Sequence, residues 1–257
     1  MWYSSSIETI LTDLDEGVLT ISLNRPDSLN ALRPEMISEI GNIVGLASSD
    51  DEVSVIILEG IGRAFCAGVD LKVLQGVDPH AGKIGDKFDE PASRAWSAIR
   101  NCDCPVIAKV HGACFTGALE LALHCDLIYT TEDTKFGDTH AKFGLRPTWG
   151  MSQTLSRAIG VRRAKELSFT ARTITGKEAM QLGLVNAAVQ NKASLDELVT
   201  VRTRQIVSNS RSTVTAIKDL YGISQLGLSL DNSLEVELNR EYPAIRDTNE
   251  RLSSFKS

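Results

Sequence analysis

Apolar and polar positions recur at two periods along this chain, and the changes from one to the other mark its elements. Residues 7–12 and 18–23 are short runs rich in Ile, Leu, Thr and Val, on either side of Asp13-Leu14-Asp15-Glu16-Gly17. That pattern predicts a β-hairpin. Pro34 opens a stretch of helical spacing that runs to about Ala47. Proline suits a first helical turn, where its missing N–H would be unpaired in any case. Residues 53–58 (VSVIIL) then read as a buried strand. Residues 106–110 and 127–129 are the next strand-like runs, each reached through helical sequence. Strands that alternate with helices require crossovers, which predicts a mostly parallel core sheet. Residues 76–90 (GVDPHAGKIGDKFDE) are rich in Gly and charge and show little periodicity. They predict a loop, either bordering a site or simply a surface insertion. From Ser194 onward the pattern is helical. Leu195, Leu198, Val201 and Ile206 fall roughly on one face, a second helix starts near Thr213, and Leu230, Leu234 and Leu238 mark a third. The expected division is an α/β core over 1–193 and a helical region over 194–257.

Composition narrows the class. A chain of 257 residues that is 42% hydrophobic and 23% charged is able to bury one large core. A formal charge of −6 argues against a nucleic-acid surface spread over the molecule. The first residues, MWYSSSIETI, have neither the basic nor the apolar part of a secretory signal. No apolar run is long enough to span a bilayer, and Phe255-Lys256-Ser257 is not the usual peroxisomal tripeptide. The expectation is a cytoplasmic protein with no membrane or nucleic-acid partner. Cys66, Cys102, Cys104, Cys114 and Cys125 are odd in number and several lie in apolar segments, which predicts reduced thiols. Cys102 and Cys104 form C-x-C, not the redox C-x-x-C. The four histidines show no zinc-site spacing, so no metal is expected. Gly60-Ile61-Gly62 lacks the third glycine of a dinucleotide turn, where Phe65 stands, and no nucleophile elbow or phosphate loop occurs.

Two stretches carry the chemistry. AFCAGVDLKVL (64–74) follows the apolar run at 53–58, and PVIAKVHGACFTGALELALHCD (105–126) carries a strand into a small-residue turn with a helix starting near Gly117. Each places a turn just after a strand, where backbone N–H groups are free. Two such turns are able to hold one oxygen between two N–H donors, which is how an oxyanion hole stabilises charge on a carbonyl or thioester oxygen. Glu120 lies three residues past Gly117, among Ala118, Leu119, Leu121 and Ala122. Side chains lean toward a helix N-terminus, so Glu120 is able to reach back toward the turn. The plainer reading is a first-turn glutamate that complements the helix dipole.

These stretches resemble the enoyl-CoA hydratase/isomerase (crotonase) superfamily. The similarity begins at LTISLNRPDSLNAL (19–32) and passes through both turns. It continues through TKFGDTHAKFGLRPTWG (134–150) and LSRAIGVRRAKELSFTARTITGKEAMQLGLVN (155–186). The resemblance implies an α/β fold, a crotonase-like spiral of ββα units with a helical C-terminal trimerisation region. It implies an acyl-CoA thioester substrate, a homotrimer or hexamer, and coenzyme A only as part of the substrate, with no cofactor of the protein's own. It places the oxyanion donors at the N–H groups of Val69 and Gly117 and makes Glu120 one of the two hydratase glutamates. It assigns Ala67, Gly68, Asp70 and Lys72 to a coenzyme A turn, with Arg25, Phe255 and Lys256 as further candidates. The chain departs from the pattern in three places. Thr116 and Ala118 interrupt a longer glycine run. His140 stands where the second glutamate belongs, with Asp138 two residues earlier. Thr148 and Trp149 follow Pro147 where some members carry an acid. If the segment is extended, Asp138 and His140 share a side and face the pocket together, with His140 or Asp138 as the second proton-transfer group, or with His140 only lining the pocket. The activity this implies is hydration of the 2,3 double bond of a 2-enoyl-CoA through a thioester enolate. The alternatives are double-bond isomerisation and a catalytically weak acyl-CoA-binding scaffold.

Overall fold

In the computed structural model, which describes residues 8–254, Glu16 and Gly17 both have positive φ, at 45° and 81°. Such a two-residue turn matches the twist of an antiparallel pair. It joins strand β1 (Ile10–Asp15) to β2 (Val18–Leu23), with Asp15 opposite Val18. The strand therefore runs to Asp15 instead of ending at Thr12, and the five-residue connection expected from the sequence shrinks to two residues. Ile7 lies outside the described residues. β3 (Val55–Gly60), β4 (Val106–Val110), β6 (Leu127–Thr131) and β9 (Ala187–Val189) extend the sheet in the order β1-β2-β3-β4-β6-β9, every pairing after the hairpin being parallel.

One face of this sheet packs on α1 (Pro34–Ser48) and α3 (Asp86–Arg100). Leu19, Ile21 and Leu23 alternate inward from β2 and meet Met36, Ile37 and Ile40 in one buried cluster. In α3 the buried residues Phe88, Ala92, Ala95, Trp96 and Ile99 keep helical spacing. The helix begins at Asp86, so the expected loop 76–90 is shorter than its composition suggested. The opposite face of the sheet buries Val55, Ile57, Ile107 and Tyr129 against Leu195 and Val199 of α8 (Lys192–Val207). Val201 stays 42% exposed, so the inward stripe is Leu195, Val199 and Thr203, one residue every four.

A smaller sheet holds β5 (Ala113–Phe115), β7 (Lys135–Gly137) and β8 (Ile174–Thr175) in that order. Cys66 adds a parallel bridge to Cys114 on its outer side. Three passes of the chain therefore share one plan. From β3, β4 and β6 the chain enters the smaller sheet at Cys66, Cys114 and Phe136, which are paired in register. Just beyond those rungs come α2 (Leu71–Leu74), α4 (Gly117–His124) and a 3₁₀ turn at His140–Phe143. The pairing sets the turns after the three rungs side by side. The remaining α-helices among the described residues are α5 (Met151–Ile159), α6 (Val161–Thr170), α7 (Gly176–Leu182), α9 (Arg211–Gly222), α10 (Leu230–Asn239) and α11 (Thr248–Ser253). Lys218 ties α9 to the core through Asp126 at 2.7 Å and the Cys104 carbonyl at 3.0 Å. Among the described residues no helix is long and apolar enough to cross a membrane.

Candidate functional site

Gly68 opens the first turn with φ at +101°, and a Cβ there would lie 2.8 Å from the Phe115 carbonyl oxygen. Only glycine permits both the conformation and the approach of the two turns. The Leu32 N–H donates to the Gly68 carbonyl at 2.7 Å and the Asp70 N–H to the Leu32 carbonyl at 2.9 Å, which pins Val69 between them. Asp70 caps α2 by accepting from the Lys72 N–H and pairs with Arg25 at 2.8 Å and Arg33 at 3.1 Å. Burial works to raise the Asp70 pKa, but the two guanidinium groups outweigh it and hold the carboxyl below its usual value. Arg25 also donates to the Ala31 carbonyl, so its guanidinium braces this turn.

The second turn stores strain. Thr116 has φ 49° and ψ −108°, a region that glycine tolerates and other residues rarely enter. Its N–H donates to the Gly137 carbonyl at 2.9 Å, its hydroxyl lies 2.5 Å from that of Thr139, and it accepts from the Thr139 N–H at 3.1 Å. These bonds do what a glycine would otherwise do by flexibility. Gly117 then starts α4, and a Cβ on it would lie 2.7 Å from Cζ3 of Trp149. Among the described residues neither the Val69 N–H nor the Gly117 N–H has a hydrogen-bond partner.

Glu120 is 1% exposed. Its Oε1 accepts from the Met151 N–H at 3.0 Å and its Oε2 is 3.8 Å from Nε2 of His140. Burial pushes its pKa up to about 7, only partly opposed by His140 and the Met151 N–H. Asp138 is equally buried and its Oδ1 lies 2.7 Å from His140 Nδ1. Burial acts to raise its pKa, but the His140 ring and the Ser168 hydroxyl prevail and hold it below the usual value. The strand ends at Gly137, and Asp138 accepts the His140 N–H at 3.2 Å as that residue opens the 3₁₀ turn. The two side chains thus meet around a turn and not across a pleat. Asp138 sits behind the imidazole, and His140 alone of the pair lines the cavity.

That cavity has a volume of about 390 Å³. Val69, Gly117, Glu120 and His140 share it with apolar walls from Leu71, Leu74, Ile84, Phe143, Leu145 and Trp149. Ala67 and Gly68 also line it, whereas Arg25, Asp70 and Lys72 do not. Phe255 and Lys256 lie outside the described residues. Lys142 and Arg146, to which no sequence motif gives a role, stand in the wall and make it positively charged there. The nearby Cys66 is buried and its thiol is pushed up to about 12, which removes it as a nucleophile. The contact of the Met151 N–H with Glu120 and the place of the Trp149 ring against Gly117 are not legible in the sequence, because nothing in their spacing points back to that turn. The replacement of glycine by Thr116 was the one visible signal of strain.

Residues 13–256 match the family model described as enoyl-CoA hydratase/isomerase. The chain belongs to the enoyl-CoA hydratase/isomerase family. A relative from Arabidopsis thaliana named probable enoyl-CoA hydratase 1, peroxisomal, is 35% identical over 226 residues, 88% of this chain and 82% of its own. A second Arabidopsis relative, a peroxisomal Δ(3,5)-Δ(2,4)-dienoyl-CoA isomerase, is 34% identical over 83% of this chain and 80% of its own. The crystal structure of enoyl-CoA hydratase from Bacillus anthracis superposes with a TM-score of 0.88 at 31% identity, covering 97% of this chain and 96% of that one. The mixed α/β architecture is thus the crotonase fold. Enoyl-CoA hydratase/isomerase family enzymes act on CoA thioesters, which gives the paired turns and the buried carboxylate a common substrate class.

Proposed function

We propose that this chain hydrates a 2-enoyl-CoA thioester. The observation that carries the reading is a carboxylate, Glu120, poised near neutrality in the same cavity as two unpartnered N–H groups and His140. The thioester oxygen accepts from the Val69 and Gly117 N–H groups, and α4 adds its positive N-terminal dipole. Ionised Glu120 takes a proton from water as the water oxygen bonds to C3. The π electrons move toward the thioester oxygen, the enolate collapses as C2 takes the proton held on Nε2 of His140, and Glu120 passes the proton it took from water to that nitrogen, which restores both groups. Asp138 fixes the imidazole through Nδ1 and turns Nε2 toward Glu120. Coenzyme A enters only as part of the substrate. Double-bond isomerisation is the second reading, favoured by the 34% identity to the dienoyl-CoA isomerase. It uses the same enolate but returns the proton to another carbon.

Mass analysis after incubation with a panel of enoyl-CoA esters separates the readings. Hydration adds the mass of water, isomerisation leaves it unchanged, and binding without either product leaves a scaffold. The same assay tests His140. His140→Ala is expected to lower kcat/KM by about 10²-fold or more if His140 moves a proton, and His140→Glu to recover hydration relative to Ala. Three proteins with the same rates, pH profiles and chain preferences would place His140 outside the chemistry.

We also propose a homotrimer, single or paired into a hexamer. Leu230, Leu234 and Leu238 of α10 are 74%, 53% and 84% exposed at a spacing of four residues, an apolar stripe unsuited to water. Sedimentation at micromolar concentration is expected to give a trimer or its double, and a monomer there would overturn the proposal. The five cysteines are all free, in keeping with a reducing compartment, and the proposed one is the cytoplasm.

A further inference from the structure

Trp149 stands between two cavities. One is the 390 Å³ pocket of Val69, Gly117, Glu120 and His140. The other, about 850 Å³, lies among α3, α4, α5 and α9 and is lined on its apolar side by Trp96, Leu123, Tyr221 and Leu226. Trp149 and its neighbour Thr148 are the only residues common to both walls among the described residues. The indole reaches the catalytic turn itself, since Cζ3 stands 2.7 Å from where a Cβ on Gly117 would be.

The partition is held from three sides. Its Nε1–H donates to Asp89 Oδ1 at 2.9 Å, and the Thr148 hydroxyl donates to the same oxygen at 2.7 Å. Its ring packs edge-on against Trp96 with centroids 5.9 Å apart, and against Phe88 at 6.4 Å. Its carbonyl lies 2.8 Å from Nε2 of His124. The other ring nitrogen of His124 lies 3.0 Å from Arg100, which has only hydrogens to give, so Nε2 carries the proton and donates to Trp149. An indole with its polar tip, its face and its backbone all engaged does not swing aside at low cost.

We infer that Trp149 is the chain-length determinant of this site, closing the acyl pocket against the second cavity and confining the substrate to a short acyl chain. The inference rests on the acyl-CoA reading of the site and adds the substrate class to it. The limit is set by position and not by volume, since Trp149 walls the same pocket as Glu120 and the Val69 and Gly117 turns. A longer alkyl tail directed past Glu120 meets the indole.

The test is kcat/KM for four-carbon and ten-carbon 2-enoyl-CoA esters, beside calorimetric binding of butyryl-CoA and decanoyl-CoA. Wild type is expected to favour the four-carbon ester by on the order of 100-fold. Trp149→Ala is expected to move that ratio toward the ten-carbon ester by about tenfold or more, with decanoyl-CoA binding tightened in parallel. Asp89→Ala removes, from a partly exposed position, the acceptor shared by the indole N–H and the Thr148 hydroxyl, and is expected to shift the ratio in the same direction. It serves as the second variant if Trp149→Ala does not fold. Wild type that turns over both esters alike overturns the inference without any variant, and shows that the tail leaves along Leu71, Leu74 and Ile84. A folded Trp149→Ala with an unchanged ratio also overturns it. Wild type that neither binds nor turns over any of the thioesters overturns the acyl-CoA reading itself, a result distinct from either.

Discussion

Glu120→Gln lowers turnover of a 2-enoyl-CoA by about 10²–10⁴-fold while leaving thioester affinity within a few-fold of wild type. The amide keeps the shape of the side chain and its oxygen is able to accept the Met151 N–H, which lies 3.0 Å from Oε1 of Glu120. It no longer takes a proton from water. Turnover within a factor of a few of wild type would remove Glu120 from the mechanism. The same substitution has an opposite effect on stability. Burial raises the folded pKa of Glu120 from an ordinary 4.5 to about 7, so between those values the folded protein holds a proton that the unfolded chain has released. Stability is therefore lost as the pH rises from about 4.5 through about 7, by roughly 3 kcal/mol once Glu120 is ionised. Glu120→Gln lacks that loss. Denaturant unfolding is expected to show the two proteins alike near pH 4 and the Gln variant pulling ahead up to about pH 7.5, with no further gain above. In wild type, kcat/KM rises across the same interval as the base ionises. A stability difference independent of pH would mean that Glu120 is not the buried titrating group. A protein that is more stable without its acid/base is one in which burial has been retained for chemistry and not for folding.

Gly117→Pro severely lowers hydration, and the informative comparison is with Gly117→Ala. Both substitutions place a Cβ 2.7 Å from the Trp149 ring, so both disturb that wall. Only proline deletes the N–H. One oxyanion donor is worth about 3–4 kcal/mol at the transition state, so the proline variant is expected to fall about 10²–10³-fold below the alanine variant. Proline is otherwise accepted at the first position of a helix. Its restriction on the preceding residue falls on Thr116, already held at φ 49° by Thr139, so circular dichroism and sedimentation must first show both variants folded and alike in assembly. Equal rates for the folded pair would place the oxyanion donor elsewhere than Gly117.

The local code of this chain is legible in its sequence wherever a pattern depends on near neighbours. The periods that marked the buried strands, the proline that opens α1, the parallel crossovers and the two glycine turns are all short-range signals. So was Glu120, because a carboxylate in an apolar first turn stands out from its immediate context. Where those signals failed, the deciding contact was with the fold. Residues 86–90 read as loop by composition, yet they begin α3 because Phe88 is buried in the core. Val201 looked inward by spacing, but the sheet accepts Val199. Asp138 and His140 do not face the pocket together as alternation along a strand implied, since a 3₁₀ turn joins them and sets Asp138 behind the imidazole. Other features arise only from packing between distant segments. They are the brace of Arg25 on Asp70, the Met151 N–H on Glu120, the strain at Thr116 and the wall that Trp149 makes between two cavities. The sequence by itself determined which residues are able to do the chemistry, because that is written in side-chain type and local backbone freedom. The tertiary structure alone decided which of them share a cavity, how hard it is for Glu120 to carry its charge and where the pocket ends, because burial and distance are properties of the packed chain.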